Sequence, residues 1–279
     1  MMNILNRLSN LQQRILVAIP GMLLFAGLIW WGWQGAVGLF MLLLVLCLYE
    51  FYGLSPLRIP VGWKMVATLL GLLAFGIILL ANHSGTTGAF TLFYLYPALL
   101  FVPAVFSHNP YPFERIAWLV TGWFYLIPCW ICMLLLVMDQ AYHPGVLFGL
   151  FGLLWAADSG AYFAGRKWGR TKLLPRVSPK KSWEGLAGGL LASALLAVLL
   201  HRVLDSAFSF SQWLVLAGST TIFGTLGDLA ESALKRSLGV KDSGNLLPGH
   251  GGILDRFDGL FLAAPLNYLI LRIIFGYGI

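Results

Sequence analysis

The chain alternates long apolar runs with short polar interruptions. Nine runs are long enough to cross a bilayer core, which takes roughly 17 to 25 residues: Ile15–Gly32, Gly35–Tyr52, Met65–Ala81, Phe90–Phe106, Ile116–Val137, Gly145–Gly165, Gly185–Leu200, Gln212–Ala230 and Asp258–Gly276. Turn-forming residues separate several of them: Pro56 and Pro60, Gly85 and Gly88, Pro110 and Pro112, then Pro144. Pro20, Pro97, Pro103, Pro128 and Pro265 fall inside runs, where neighbouring helices can satisfy the carbonyl each one frees. Strand-type alternation over ten-residue segments is absent, which excludes an outer-membrane barrel. The pattern predicts an all-α polytopic membrane protein with about nine transmembrane helices. Ahead of the first run, Asn3 to Gln13 reads as a short interfacial helix; the long run that follows lacks an A-x-A site and is not a typical cleaved signal.

Composition agrees. Of 279 residues, 59% are hydrophobic and 10% charged, against about 25% charged in a soluble domain. The net charge of +7 matters less than its placement. With the N-terminus in the cytoplasm, the inner segments collect Arg7, Arg14, Arg58, Lys64, Arg115, the seven of the 166–184 loop, and Lys235, Arg236, Lys241 and Arg256: sixteen of the 18 basic residues. Arg202 alone sits in an outer loop, and Arg272 lies in the last run. The positive-inside rule therefore predicts a cytoplasmic N-terminus, an outer C-terminus and two cytoplasmic loops, 166–184 and 231–257. Cys47, Cys129 and Cys132 lie in apolar runs; Cys129 and Cys132 form a C-x-x-C with no second pair or nearby His, so they read as small packing residues.

Chemistry is concentrated late in the chain. Residues 1–144 read as a transmembrane scaffold of about five helices, with Glu50 as the only intramembrane acid, placed to snorkel or cap near an inner helix end. Residues 145–279 read as the catalytic region. There Asp228, Glu231 and Ser232 share a helix face at i, i+3 and i+4, and Asp255 and Asp258 repeat the i, i+3 spacing. Two ionised carboxylates about 5 Å apart repel by roughly 3 kcal/mol at an effective dielectric near 20. A bound divalent cation relieves that repulsion, and oxygen-only donors point to Mg²⁺. The alternative is salt bridging to Lys235, Arg236 and Arg256.

Gly244, Gly249, Gly251 and Gly252 surround Pro248 and His250, as an anion-binding nest or a tight re-entrant turn would require. No Walker A or strand-borne G-x-G-x-x-G is present. In the earlier loop, S-P-K-K-S-W-E-G gathers Ser178, Lys180, Lys181 and Ser182 before a helix N-terminus, which suits a phosphate. Asp158, read as a buried acid on the preceding span, joins the same polar pocket.

The run S-A-L-K-R-S-L-G-V-K-D-S-G-N-L-L-P-G-H-G-G-I-L-D-R-F-D, from Ser232 to Asp258, closely resembles the motif of phosphatidate cytidylyltransferases, also called CDP-diacylglycerol synthases. The stretches D-S-G-A-Y-F-A-G-R-K-W-G and S-P-K-K-S-W-E-G look like that family's second block, with Lys180 standing where many relatives carry Gly. The resemblance is specific from about Asp158 to Asp258 and carries nothing functional to the first half. It implies transfer of a cytidylyl group from CTP to phosphatidate, giving CDP-diacylglycerol and pyrophosphate. It also implies dependence on Mg²⁺ with K⁺ beside it, a homodimer in the bacterial inner membrane, and a polar cavity open to the cytoplasm. No nucleic-acid partner is expected.

On that reading Asp228, Ser232, Asp255 and Asp258 hold the metal. Lys235, Arg236, Lys241 and Arg256 offset phosphate charge. His250 donates to a phosphate or to the leaving pyrophosphate, and Asp158, Ser178 and Lys181 bind substrate, with lipid head group and nucleotide both open to the last two. Two other classes remain. A CTP-dependent polyprenol kinase would move the γ-phosphate instead. A cation-coupled secondary transporter also places acids in the membrane, but two sequence-similar halves are not seen. A CDP-alcohol phosphotransferase is disfavoured by the absence of its D-G-x-x-A-R run.

Overall fold

The structure, a computed structural model, describes residues 10–84, 99–102, 104–106, 111–138, 142–204, 207–246 and 251–276. Helices α1 (Asn10–Trp31), α2 (Trp33–Gly53), α3 (Val61–Ser84), α4 (Pro112–Met138), α5 (Pro144–Trp168), α6 (Trp183–Val203), α7 (Phe210–Ser237), α8 (Leu254–Phe257) and α9 (Leu260–Phe275) make up nearly all of it. Seven segments among the described residues are long and apolar enough to cross a membrane, counting α8 and α9 as one. Eight of the nine predicted spans coincide with helices. Most of the other, Phe90–Phe106, lies outside the described residues.

Four expectations change in detail. A single helix runs from Asn10 through Trp31, with no break between the expected interfacial segment and the first span; residues 3–9 of that segment lie outside the described residues. The 166–184 loop is not irregular: α5 continues to Trp168, and an antiparallel hairpin of β1 (Lys172–Leu174) and β2 (Ser178–Ser182) fills the rest. Among the described residues the fold is therefore all-α but for this hairpin. Helix α7 carries its amphipathic pattern on to Ser237, shortening the 231–257 loop. The last span begins at Leu254 rather than Asp258, as the single turn α8, then α9.

Small residues set the tightest helix contact. Along the α5–α6 seam, a Cβ added to Gly160 would fall 2.5 Å from both Ala192 Cβ and Gly188 O, and one added to Gly189 would fall 2.8 Å from Ala157 O. Small residues of this kind let backbones approach closely in lipid, where water supplies no force between helices. The seam fixes the two helices that carry the hairpin. Ser182 ends β2 and caps α6, accepting a hydrogen bond from Gly185 N at 3.1 Å. The Glu184 carboxylate accepts from Thr171 N at 3.0 and 3.2 Å, tying the hairpin's first strand to the same helix end.

Inside the bundle, α2, α4, α5, α8 and α9 meet in an aromatic cluster. Trp130 packs edge-on against Phe257 at 5.1 Å and Phe261 at 6.1 Å, and Phe40 lies 5.3 Å from Trp130. A buried hydroxyl–amide ladder joins α6, α7 and α9: Ser193 to Thr221 at 2.7 Å, Ser219 to Asn267 at 2.6 Å and Asn267 to Thr220 at 2.7 Å. In an apolar interior such groups must pair with one another. These two layers hold α7 and α9 beside each other, and their polar ends form the site.

Candidate functional site

Asp228 projects from α7 one turn before Ser232, whose hydroxyl donates to Asp228 Oδ1 at 3.2 Å. Lys181, the penultimate residue of β2, reaches Asp228 Oδ2 at 2.5 Å and Thr225 O at 3.4 Å. Both side chains stay partly open, at 25% and 34% exposure. Asp158 on α5 lies within electrostatic reach of Lys181 and Asp228. Its side chain is open to solvent rather than buried as expected.

Asp258 comes from the opposite direction, in the break between α8 and α9. Its Oδ1 accepts from Gly259 N at 2.7 Å. Gly227 makes the approach possible: a Cβ there would meet Asp258 O at 2.6 Å and Gly259 O at 3.0 Å. The charges of Asp228, Lys235 and Lys181 all act on Asp258. Carboxylates from two separate helices therefore lie within electrostatic reach of one another, with Lys181 against one of them.

Asp255 has a different set of partners. Lys235 Nζ donates to its Oδ1 at 2.5 Å and to Glu231 Oε1 at 3.1 Å. Ser243 N donates to both Asp255 oxygens, at 3.2 and 3.0 Å, and Gly252 N to Oδ2 at 3.0 Å. Those contacts fill the roughly four acceptor positions of a carboxylate. The expected salt bridging to Lys235 thus holds for Asp255 and Glu231, while Asp228 pairs instead with Lys181 of the hairpin.

Among the described residues, no three His, Cys, Asp or Glu side chains gather at metal-ligand spacing. Two carboxylates and a hydroxyl do fit a small hard cation. Mg²⁺ is commonly held by one or two carboxylates, keeping its other positions for water and phosphate oxygens.

Arg236, Lys241 and Arg256 are exposed, and Arg236 Nη1 donates to Val240 O at 3.1 Å. Lys235 is 7% exposed and committed to two acids, so it is a strut inside the site rather than a group open to ligand. Ser178 opens β2 and is half-buried. His250 and its neighbours Pro248 and Gly249 lie outside the described residues. Gly251 has φ +81°, a conformation that a side chain would strain.

Glu50 is what the sequence reading undervalued. It sits near the end of α2, only 4% exposed. Its Oε2 accepts from Ser243 Oγ at 3.1 Å and Leu254 N at 2.8 Å, across about two hundred residues of chain. It does cap a helix, as expected, but the helix is α8 rather than its own. The signal was available: Glu50 is the first acid in the chain.

The sequence profile described as the Cytidylyltransferase family matches residues 12–274. Among similar proteins, a phosphatidate cytidylyltransferase of Brucella suis is 38% identical over 267 residues, covering 94% of this chain and 93% of its own. One from Bacillus subtilis is 38% identical over 175 residues, 63% of this chain and 65% of its own. One from Thermotoga maritima is 48% identical over 127 residues, 44% of this chain and 47% of its own. The last two alignments thus span less than two thirds of those relatives, whereas the Brucella alignment runs nearly end to end.

Proposed function

The chain belongs to the cytidylyltransferase family, and from that premise we propose that it transfers the cytidylyl group of CTP to phosphatidate, forming CDP-diacylglycerol for phospholipid synthesis. The observation that carries this reading is the meeting of Asp228 and Asp258, from two different helices, beside Lys181. A pair of acids faced by a lysine, at the polar end of an apolar bundle, is suited to phosphates that need neutralising at a lipid surface.

A phosphatidate phosphate oxygen attacks the α-phosphorus of CTP. The new P–O bond forms in line with the bond to the β-phosphate, which breaks, and pyrophosphate leaves with the electron pair. The nucleophile is already anionic at neutral pH, so positioning and charge neutralisation do most of the catalysis. Asp228 and Asp258, with Ser232 beside them, would hold Mg²⁺. The bound ion supplies charge neutralisation at the phosphate oxygens. A K⁺ beside it belongs to the same proposal. Lys181 orients a phosphate at the hairpin side, with Ser178 and Asp158 nearby. Lys241, Arg236 and Arg256 face the polyphosphate from the other loop, with His250 as a donor there. Asp255 keeps Lys235 and the loop amides in place around this centre.

The enzyme is proposed to work as a homodimer in the bacterial inner membrane, with the site on the cytoplasmic side, where the nucleotide is. Both basic loops and the C-terminal end of α7 belong to that side on the positive-inside count.

Purified protein in detergent, given phosphatidate, cytosine-labelled CTP and Mg²⁺, is expected to yield a labelled lipid and free pyrophosphate in equal amounts. Chelating divalent cations should stop turnover, and added Mg²⁺ should restore it. Asp228→Ala and Asp258→Ala should each lower turnover by about 100-fold or more in membranes that contain normal amounts of protein. No labelled lipid from phosphatidate, with CDP released when a polyprenol is supplied in its place, would identify the polyprenol-kinase reading; near-normal turnover in both variants would reject the assigned centre.

A further inference from the structure

Glu50 lies in the half of the chain to which no function has been assigned, yet it is buried against the loop that carries the site. Four observations converge on it. Its Oε2 holds Ser243 Oγ at 3.1 Å and Leu254 N at 2.8 Å, the two ends of the stretch that carries Gly251 and Gly252. The same stretch clasps Asp255: Ser243 N and Gly252 N both donate to its carboxylate. Glycines press on the Glu50 carboxylate, because a Cβ at Gly244 would fall 2.7 Å from Oε1, and one at Gly252 would fall 2.5 Å from Oε2. Finally, Ile253 offers no side-chain cap to α8, so an α2 side chain supplies the acceptor for Leu254 N.

We infer that Glu50 is a positioning residue for the transfer reaction, fixing residues 243–246 and 251–254 so that Asp255 stays paired with Lys235 of α7 and Asp258 lies within reach of Asp228. The connection is continuous: Glu50 to Ser243, Ser243 N to Asp255, Asp255 to Lys235, and Lys235 within electrostatic reach of Asp258. Glu50 touches neither the proposed metal position nor the exposed cations, so it acts through these groups. Outer partners of this kind typically change activity by about 10- to 100-fold when removed. The acceptor oxygen is what matters to Ser243 and Leu254, so an isosteric amide should retain most of the effect.

This inference rests on the proposed cytidylyl transfer, and the test separates the two. Wild type, Glu50→Ala, Glu50→Gln, Ser243→Ala and the Glu50→Ala/Ser243→Ala double variant are purified in detergent. Each is assayed for kcat and KM, for thermal unfolding, and for backbone hydrogen exchange at residues 243–246 and 251–254. Glu50→Ala is expected to lower kcat by about 10- to 100-fold in protein that elutes as wild type does, with faster exchange confined to that stretch. Glu50→Gln should recover kcat to within about fivefold of wild type, and the double variant should lose little beyond Glu50→Ala alone. Wild-type kcat in Glu50→Ala, additive losses in the double variant, or unchanged exchange would overturn the assignment. Should Glu50→Ala not fold, Ser243→Ala decides: a reduced kcat with local loosening supports the role, and unchanged kcat rejects it. Wild type that turns over no phosphatidate would sink the reaction reading instead; the exchange data would then still show whether Glu50 holds the loop.

Discussion

Lys235 is a positive charge with almost no access to solvent, placed between Glu231 at 3.1 Å and Asp255 at 2.5 Å. Its side chain is 9% exposed, and that of Glu231 is fully enclosed. Taking the cation away leaves two acids facing each other in a poorly solvated place. Removing one partner of such a buried arrangement costs about 3–5 kcal/mol. Lys235→Met is therefore expected to lower thermal stability sharply in a detergent melt, and Lys235→Met/Glu231→Gln to regain much of the loss. Sequence alone could not show which acid pairs with which lysine. Asp228, Glu231, Asp255 and Asp258 look alike on a helical wheel; that Lys235 takes Glu231 and Asp255 while Lys181 takes Asp228 depends on the hairpin that carries Lys181 and on the amides of Ser243 and Gly252 that reach Asp255.

At the scale of elements, the approach of α7 to the start of α9 decides whether the two carboxylates can meet. Gly227 lies under the carbonyl of Asp258, and Gly224 under Gly259. Gly227→Ala places a methyl group 2.6 Å from the Asp258 carbonyl oxygen, which must move. Expected is a loss of turnover of about 10-fold or more with expression and helix content retained; wild-type kcat would mean that the spacing between these helices is not critical. Helices were legible because a bilayer imposes one length and one solution to backbone hydrogen bonding. Their ends were less so. Helix α7 passes Ala230 because Glu231 and Lys235 pair inward and no helix breaker follows until Gly239, which has φ +71°. The β1–β2 hairpin was missed because its strands are three and five residues long, rich in charge, and stabilised chiefly by Glu184 and Ser182 at the neighbouring helix.

For the molecule as a whole, Asp228 and Asp258 lie where the C-terminal part of α7 meets the start of α9, while a cavity of about 670 Å³ lies at the other end of α7, lined by Val198, His201, Arg202 and Phe210. The proposed orientation puts Lys241 in the cytoplasm. A Lys241→Cys variant should react with a membrane-impermeant thiol reagent in inverted vesicles and resist it in right-side-out cells, with Cys47, Cys129 and Cys132 shielded by burial or lipid. Labelling from outside the cell would reverse the topology. The proposed orientation rests on the charge of the basic loops, whereas the link between the two halves of the chain, through Glu50, was hidden because a lone acid in an apolar run has several ordinary explanations.

The tie between Glu50 and residues 243–254 also sets an order of events during synthesis. The ribosome delivers α2 long before the residues it will hold, and Asp255 follows about two hundred residues later. Until α8 has been made, Glu50 lacks the Leu254 donor, and Lys235 has only one of its two acids. A nascent chain halted before residue 254 carries a recognisable defect in its first half, the kind of unsatisfied charge on which membrane quality control can act.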